Sequence, residues 1–197
     1  EINRTVCDHC SDYLFVYHEN YKQKAMKENI HEDQISVVGN TIVEVARDMQ
    51  DIMFKNPKKN NQIILDVHRP ENFNDKNRLE NIINYANNMY YIHNLPVKML
   101  NFGRTEQKLK DFCIPLRNIE LVPLMSYKNY IESIYNSLFI ISDSGTAQEE
   151  PAMFNTPVIV PRDYTERPES VEYNCSVMLE VNSRFNSTWT HSLEYID

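Results

Sequence analysis

A chain of 197 residues can bury a core of its own, and 42% hydrophobic with 24% charged residues is a globular composition that excludes a disordered or fibrous chain. The formal net charge of −8, the pI near 5.3 and the lack of any basic run beyond Lys58-Lys59 exclude a surface for nucleic acid. With no apolar stretch of spanning length, no signal-peptide pattern and four cysteines that form no disulfide framework, the expectation is no membrane partner and a reducing, cytoplasmic setting.

In chain order, the first motif is Cys7-Asp8-His9-Cys10, a C-x-x-C with a histidine inside it. Zinc or redox chemistry must be weighed there, but no second ligand pair with metal spacing follows, so no metal is expected. Residues 13–17 and 35–38 read as strands, and about 21–28 and 42–54 as helices. Two strands do not make a stable separate sheet. The polar stretch 56–61, Asn-Pro-Lys-Lys-Asn-Asn, reads as a linker, which divides the chain into residues 1–55 and 56–197.

Beyond the linker, strand and helix alternate. Apolar runs mark strands at 62–67, 97–101, 119–122, 138–141, 157–160 and 177–181, with connecting segments between them. Apolar-rich strands alternating with helices imply a parallel sheet covered on both faces. The fold class expected is therefore α/β, with a doubly wound, Rossmann-like parallel sheet in the second segment.

Candidate site residues fall at the ends of these strands. After strand 138–141 comes Asp143-Ser144-Gly145-Thr146, and a helix is expected over 146–153, with Glu149 and Glu150 in its first turns. A strand ending in a small-residue turn at a helix N-terminus presents N–H groups to a phosphate; an ordinary capped helix start would have the same sequence. Glu150 can accept hydrogen bonds from sugar hydroxyls or can be merely solvated. Arg167, in Asp163-Tyr-Thr-Glu-Arg-Pro-Glu169, lies after a strand end and suits a phosphate, or else belongs to a Glu166–Arg167–Glu169 charge cluster. His68 lies just past strand 62–67, where a polar contact or a structural role is open. Tyr127 and Tyr130 read either as aromatic core packing or as ligand contacts.

These stretches together resemble the non-hydrolysing UDP-N-acetylglucosamine 2-epimerases. The resemblance rests on Asp143-Ser-Gly-x-x-Gln-Glu-Glu150, Pro157-Val-Ile-Val160 and Arg162-Asp-x-Thr-Glu-Arg-Pro-Glu169. In the same order come Glu1-Ile-Asn-Arg4 with Ser11-Asp12, Val38-Gly-Asn-Thr41 and Val67-His-Arg-Pro-Glu-Asn-Phe73. It runs over nearly the whole chain. It implies the GT-B arrangement of two facing Rossmann-like domains, of which this chain resembles the tail of the N-terminal domain (1–55) and most of the C-terminal, UDP-binding domain (56–197). The site implied is Ser144, Gly145 and Thr146 at the diphosphate and Glu150 at the ribose, with Arg167 in the UDP grip. Met125 and Tyr130 belong to the base-binding loop, and His68 is the catalytic residue of this chain. The activity implied is interconversion of UDP-GlcNAc and UDP-ManNAc by elimination and re-addition of UDP, serving surface polysaccharide synthesis, with no cofactor.

The same resemblance implies a homodimer for the full-length enzyme. It also aligns Glu1 with the second of two adjacent glutamates, the first of which is catalytic, and expects closing helices to be cut short after Tyr195-Ile196-Asp197. The pattern departs at Thr146 and Asn74, where the family has glycine, and at Pro70, where it has arginine. Phe102-Gly103-Arg104-Thr105 lacks the family's histidine, so an allosteric substrate site is not carried over. The alternatives are a GT-B glycosyltransferase or a non-catalytic UDP-binding module.

Overall fold

Six short apolar runs become six parallel strands because each is too short to do better as a helix, and the inner strands are covered on both faces. In the computed structural model, which describes residues 2–181, they are β3 (Gln62–Asp66), β4 (Val97–Leu100), β5 (Ile119–Val122), β6 (Ser137–Ser142), β7 (Val158–Val160) and β8 (Ser176–Met178). Every residue of β3 and β7 is buried, as expected of strands covered on both sides. The strand order is β5-β4-β3-β6-β7-β8, all parallel. The chain winds outward from β3 to β5, then α7 (Tyr127–Tyr135) carries it back to β6 on the other side of β3. The winding sense thus reverses between β3 and β6, and the carboxyl ends of those two strands flank a crevice, the usual ligand position in such sheets. The expected doubly wound, Rossmann-like parallel sheet is the observed one.

The main core joins Ile63, Leu65, Met99, Phe139 and Ile141 from the sheet to Leu79, Ile82, Ile83 and Ala86 of α5 (Lys76–His93). Their burial on one side of an 18-residue helix anchors β3 and β4, and at about 25 cal/mol per Å² such a cluster is the main stabilising term. The crossovers are completed by α4 (Pro70–Phe73), α6 (Gly103–Asp111) and α8 (Pro168–Glu172).

The chain divides into two compact units, Glu1–Asp48 and Met49–Asp197. The smaller holds α1 (Ile2–His9), which the sequence pattern does not announce, then β1 (Leu14–Val16), α2 (Glu19–Lys27) and β2 (Ile35–Val37). Helix α3 (Ile42–Met53) runs across the division. Strands β1 and β2 form a two-stranded parallel sheet over a small cluster of Ala25, Ile30 and Ile35. The expected linker at 56–61 is tied to the larger unit: Tyr135 Oη donates to the Asn56 carbonyl at 2.6 Å, Lys58 Nζ donates to Thr156 Oγ1 at 2.8 Å, and the Asn61 amide donates to the Asn136 carbonyl at 3.0 Å. Burial lowers the Lys58 ammonium to a pKa of about 8. Glu1 and the closing Tyr195-Ile196-Asp197 lie outside the described residues.

One expected element differs. Residues 146–153 do not form an α-helix but two 3-10 turns, Thr146–Gln148 and Pro151–Phe154. Pro151 has no N–H to give to residue 147 and its ring crowds that carbonyl, so the α-helical ladder cannot pass it. Glu149 absorbs the break at φ −111° and ψ −56°, and Asn155, left-handed at φ 53°, ends the second turn. The consequence is that the helix dipole expected at Ser144-Gly145 is small, and only local N–H groups act there.

Candidate functional site

The pairing of β3 with β6 sets Leu65 beside Ile141 and Asp66 beside Ser142. The residues that follow each strand are therefore neighbours although more than seventy positions separate them. Asp66 is 4% exposed and accepts from both sides: Ser142 Oγ donates to its Oδ2 at 2.8 Å, and His68 Nδ1 bonds its Oδ1 at 2.7 Å. Asp143 is wholly buried and closes the turn from the other strand. It accepts the His68 amide at 3.1 Å, the Arg69 amide at 3.0 Å and Asn72 Nδ2 at 2.9 Å.

A buried carboxylate survives only when its lone pairs are filled, and behind Asp143 the network continues. Asn72 also donates to the Pro161 carbonyl at 2.9 Å and accepts from Arg78, whose Nη1 reaches Asp163 at 2.9 and 3.0 Å. Thr105 Oγ1 donates to the Val67 carbonyl at 2.6 Å. The two loops that carry His68 and Ser144 are thus fastened by Asp143 itself.

Asp66, His68 and Asp143 bring potential metal-ligand atoms within 4.8 Å of one another. Those atoms are already committed to the bonds just described, so the donor set reads as a hydrogen-bonded cluster. The bond from Asp66 is the largest influence on His68 and raises the imidazole above its usual range, joined by the charge of Asp143 and opposed by burial and by Arg69. Burial pushes Asp143 up, against the Asn72 bond and the His68 charge. The ring of Phe102 lies 4.9 Å from that of His68.

On the β6 side, the amides of Gly145, Thr146 and Ala147 have no hydrogen-bond acceptor among the described residues. The Ser144 and Thr146 hydroxyls lie 3.1 Å apart. Gly145 sits at an ordinary φ of −67°, so conformational freedom is not its use. A Cβ there would instead stand 3.7 Å from Arg69 Nη2, in the space between the turn and that guanidinium. Three free amides, two hydroxyls, the Arg69 guanidinium and the imidazole of His68 make a receptor for an anion with several oxygens.

Glu150, 4% exposed, accepts the Tyr127 hydroxyl at 2.8 Å, and burial raises its carboxyl against that bond. Tyr130 is half-buried, its phenol pushed up by burial and then by the charges of Asp66 and Glu150. Met125 turns its sulfur to Ser133 Oγ at 3.5 Å. Arg167 gives its Nε to Glu149, and its amide donates to Thr165 Oγ1 at 2.9 Å. Glu166 takes a different partner, the 3%-exposed Arg162, through bonds of 2.7 and 2.9 Å that hold its carboxyl down at about 2.

The structure therefore brings His68, Ser144, Gly145 and Thr146 into one cluster and sets Glu150 with Tyr127 at the far end of the same turn. Arg167 bonds Glu149 of that turn. Two contributors have no place in the sequence pattern as site residues: Asp66 looks like the last residue of a strand, and Arg69 like a neighbour of His68. Arg69 had a local signal, lying in a motif already singled out, whereas Asp66 had none. Tyr127, open between core packing and a ligand contact, bonds Glu150.

A family profile described as UDP-N-acetylglucosamine 2-epimerase matches residues 1–186. A protein of that description from Methanocaldococcus jannaschii is 33% identical over 197 aligned residues, covering 92% of this chain and 54% of the relative. One from Methanococcus maripaludis is 31% identical, covering 90% and 53%. The crystal structure of the M. jannaschii UDP-GlcNAc 2-epimerase in complex with UDP-GlcNAc and UDP superposes with a TM-score of 0.86 at 31% identity, covering all of this chain and 57% of that one. The chain spans about half the length of the relatives it matches. No helix among the described residues is long and apolar enough to cross a membrane.

Proposed function

The chain belongs to the UDP-N-acetylglucosamine 2-epimerase family, and on that premise we propose that it carries the UDP grip of an enzyme interconverting UDP-GlcNAc and UDP-ManNAc. The observation that carries this reading is the cluster at the β3–β6 crevice, where the turn with its free amides and two hydroxyls lies beside the loop of His68 and Arg69. Such a receptor suits a diphosphate. Glu150, beyond it, suits the ribose hydroxyls, and Met125 and Tyr130, at the start of α7, suit the base.

In the reaction so proposed, the bond between sugar C1 and the UDP oxygen breaks while a proton leaves C2. UDP then re-adds as a proton returns to the other face. Charge grows on the departing diphosphate, and preorganised donors aimed at it lower the barrier. His68, as a cation, and the amides of Gly145, Thr146 and Ala147 are those donors. Arg167 contributes through the loop it holds against Glu149. No step in this path calls for a metal or redox cofactor.

The same reading treats residues 1–55 as the tail of an N-terminal Rossmann-like domain and 56–197 as the UDP-binding domain of a GT-B pair. The whole enzyme would be a cytoplasmic homodimer supplying surface polysaccharide synthesis. Calorimetry with UDP on this chain tests the grip. The expected result is micromolar-range binding, weakened at least about tenfold, or roughly 1.4 kcal/mol, in both Glu150→Ala and Arg167→Ala. A folded chain that shows no heat of binding with UDP sinks the reading.

A further inference from the structure

We propose that Asp66 is a positioning residue that holds His68 through Nδ1, turns its Nε2–H to the bound diphosphate, and so makes nucleotide binding in this chain fall off with rising pH. The inference rests on the reading of the β3–β6 crevice as a diphosphate site. It goes beyond that reading because it assigns a buried residue that the site motifs do not contain.

The argument is geometric. An imidazole has two nitrogens, and the bond made by one decides what the other can offer. Here Nδ1 bonds the Asp66 carboxylate at 2.7 Å. Asp66 cannot swing away, because Ser142 Oγ holds its other oxygen at 2.8 Å and it is 4% exposed. The ring's remaining freedom is closed by Phe102, 4.9 Å away, and by the His68 amide bonded to Asp143. Nε2 on the opposite edge has no bond among the described residues, and the side chain is 31% exposed.

The charged groups that face His68 are Asp66 from β3, Asp143 from the turn after β6, at 3.3 Å from Nδ1, and Arg69 from its own loop. Two carboxylates outweigh one guanidinium, so the ring is held as a cation over a wider pH range than a free histidine. With a raised pKa, the cationic donor is fully present below the ordinary imidazole range and is lost as pH rises through the folded-state value. Affinity for an anion follows the same course.

The experiment combines two readouts. Nitrogen-15 NMR of the imidazole, without ligand, follows His68 between about pH 5 and 9 in the wild-type chain and in Asp66→Asn. Calorimetry follows the UDP Kd over the same range in both, with His68→Gln as the baseline, since UDP's own phosphate titrates near 6. The expected result is a His68 pKa lower by about one unit in Asp66→Asn and a fall in UDP affinity that moves to lower pH by the same amount.

An unchanged His68 pKa in Asp66→Asn overturns the inference whatever UDP does. So does a lowered pKa with an unmoved binding profile. If Asp66→Asn does not fold, the wild-type and His68→Gln profiles still decide, because identical pH dependence in the two removes His68 from the binding and overturns the proposal. A wild-type chain with the expected NMR titration but no UDP binding at any pH overturns the nucleotide reading instead, and the pH linkage with it.

Discussion

Asn72 joins more of the candidate site than any residue that faces the crevice. Its amide donates to Asp143 and to the Pro161 carbonyl while its oxygen takes Arg78. Asn72→Ala would strip the Pro161 carbonyl of its donor, leave a buried carboxylate short of a bond and take the acceptor from Nε and Nη2 of Arg78, a residue 8% exposed. Each such orphan costs about 1–3 kcal/mol, so a loss of about 3 kcal/mol is expected in urea unfolding, together with weaker UDP binding because Asp143, which fastens the two loops, loses one of its donors. A change below about 1 kcal/mol would mean that water replaces the amide without penalty. The sequence shows Asn72 only as one letter of His-Arg-Pro-Glu-Asn-Phe. Asp66 is less legible still: its meaning depends on Ser142 and His68, and only the crossover that sets β6 beside β3 brings Ser142 to it. The positions of His68, Ser144 and Gly145 stand out in the sequence because each follows a strand end with local turn chemistry, whereas Glu150 stands between the two 3-10 turns beyond.

At the scale of elements, the strands were readable to within a residue or two because burial demands apolar runs, and the runs stand out; the exception is β8, expected to run to 181 and ending at Met178. The stretch after β6 misled because good helix formers and early glutamates outweighed Pro151, the residue that splits it into two 3-10 turns. Helix ends show another trait of this chain. With three glycines in 197 residues, most of the left-handed positions that usually take glycine are filled by asparagine: Asn29, Asn60, Asn94, Asn155 and Asn174 have positive φ, as do Cys113 and Arg117. Asn94 ends α5 at φ 51° just before β4. Asn94→Ala is expected to cost about 1 kcal/mol by urea unfolding, and Asn94→Gly to cost nothing or to stabilise slightly. Equal stabilities for the alanine and glycine variants would show that the backbone relaxes out of the left-handed region.

For the molecule as a whole, the six-stranded sheet and the two-stranded sheet differ in what holds them. The larger has a contiguous buried core from sheet to helix, while β1 and β2 rest on three buried side chains and leave Phe15 69% exposed. Hydrogen exchange on this chain should find amides of β3 and β6 opening only with global unfolding, and those of β1 and β2 exchanging about a thousandfold faster. Comparable protection in both would show that residues 14–37 fold with the larger sheet as one cooperative unit. The switch of winding direction between β3 and β6 has a last consequence, for the tolerance of the chain to changes of length. An insertion in the loop joining α5 to β4, at the other end of the strands from the crevice, leaves the strand ends where they are, because the β3–β6 ladder sets their register regardless of the path between them. One residue added within 66–68 or 142–145 would rotate His68 or Ser144 away from its partner. Two short segments, far apart in the gene, must therefore keep their length, while loops at the opposite ends of the strands between them can change theirs.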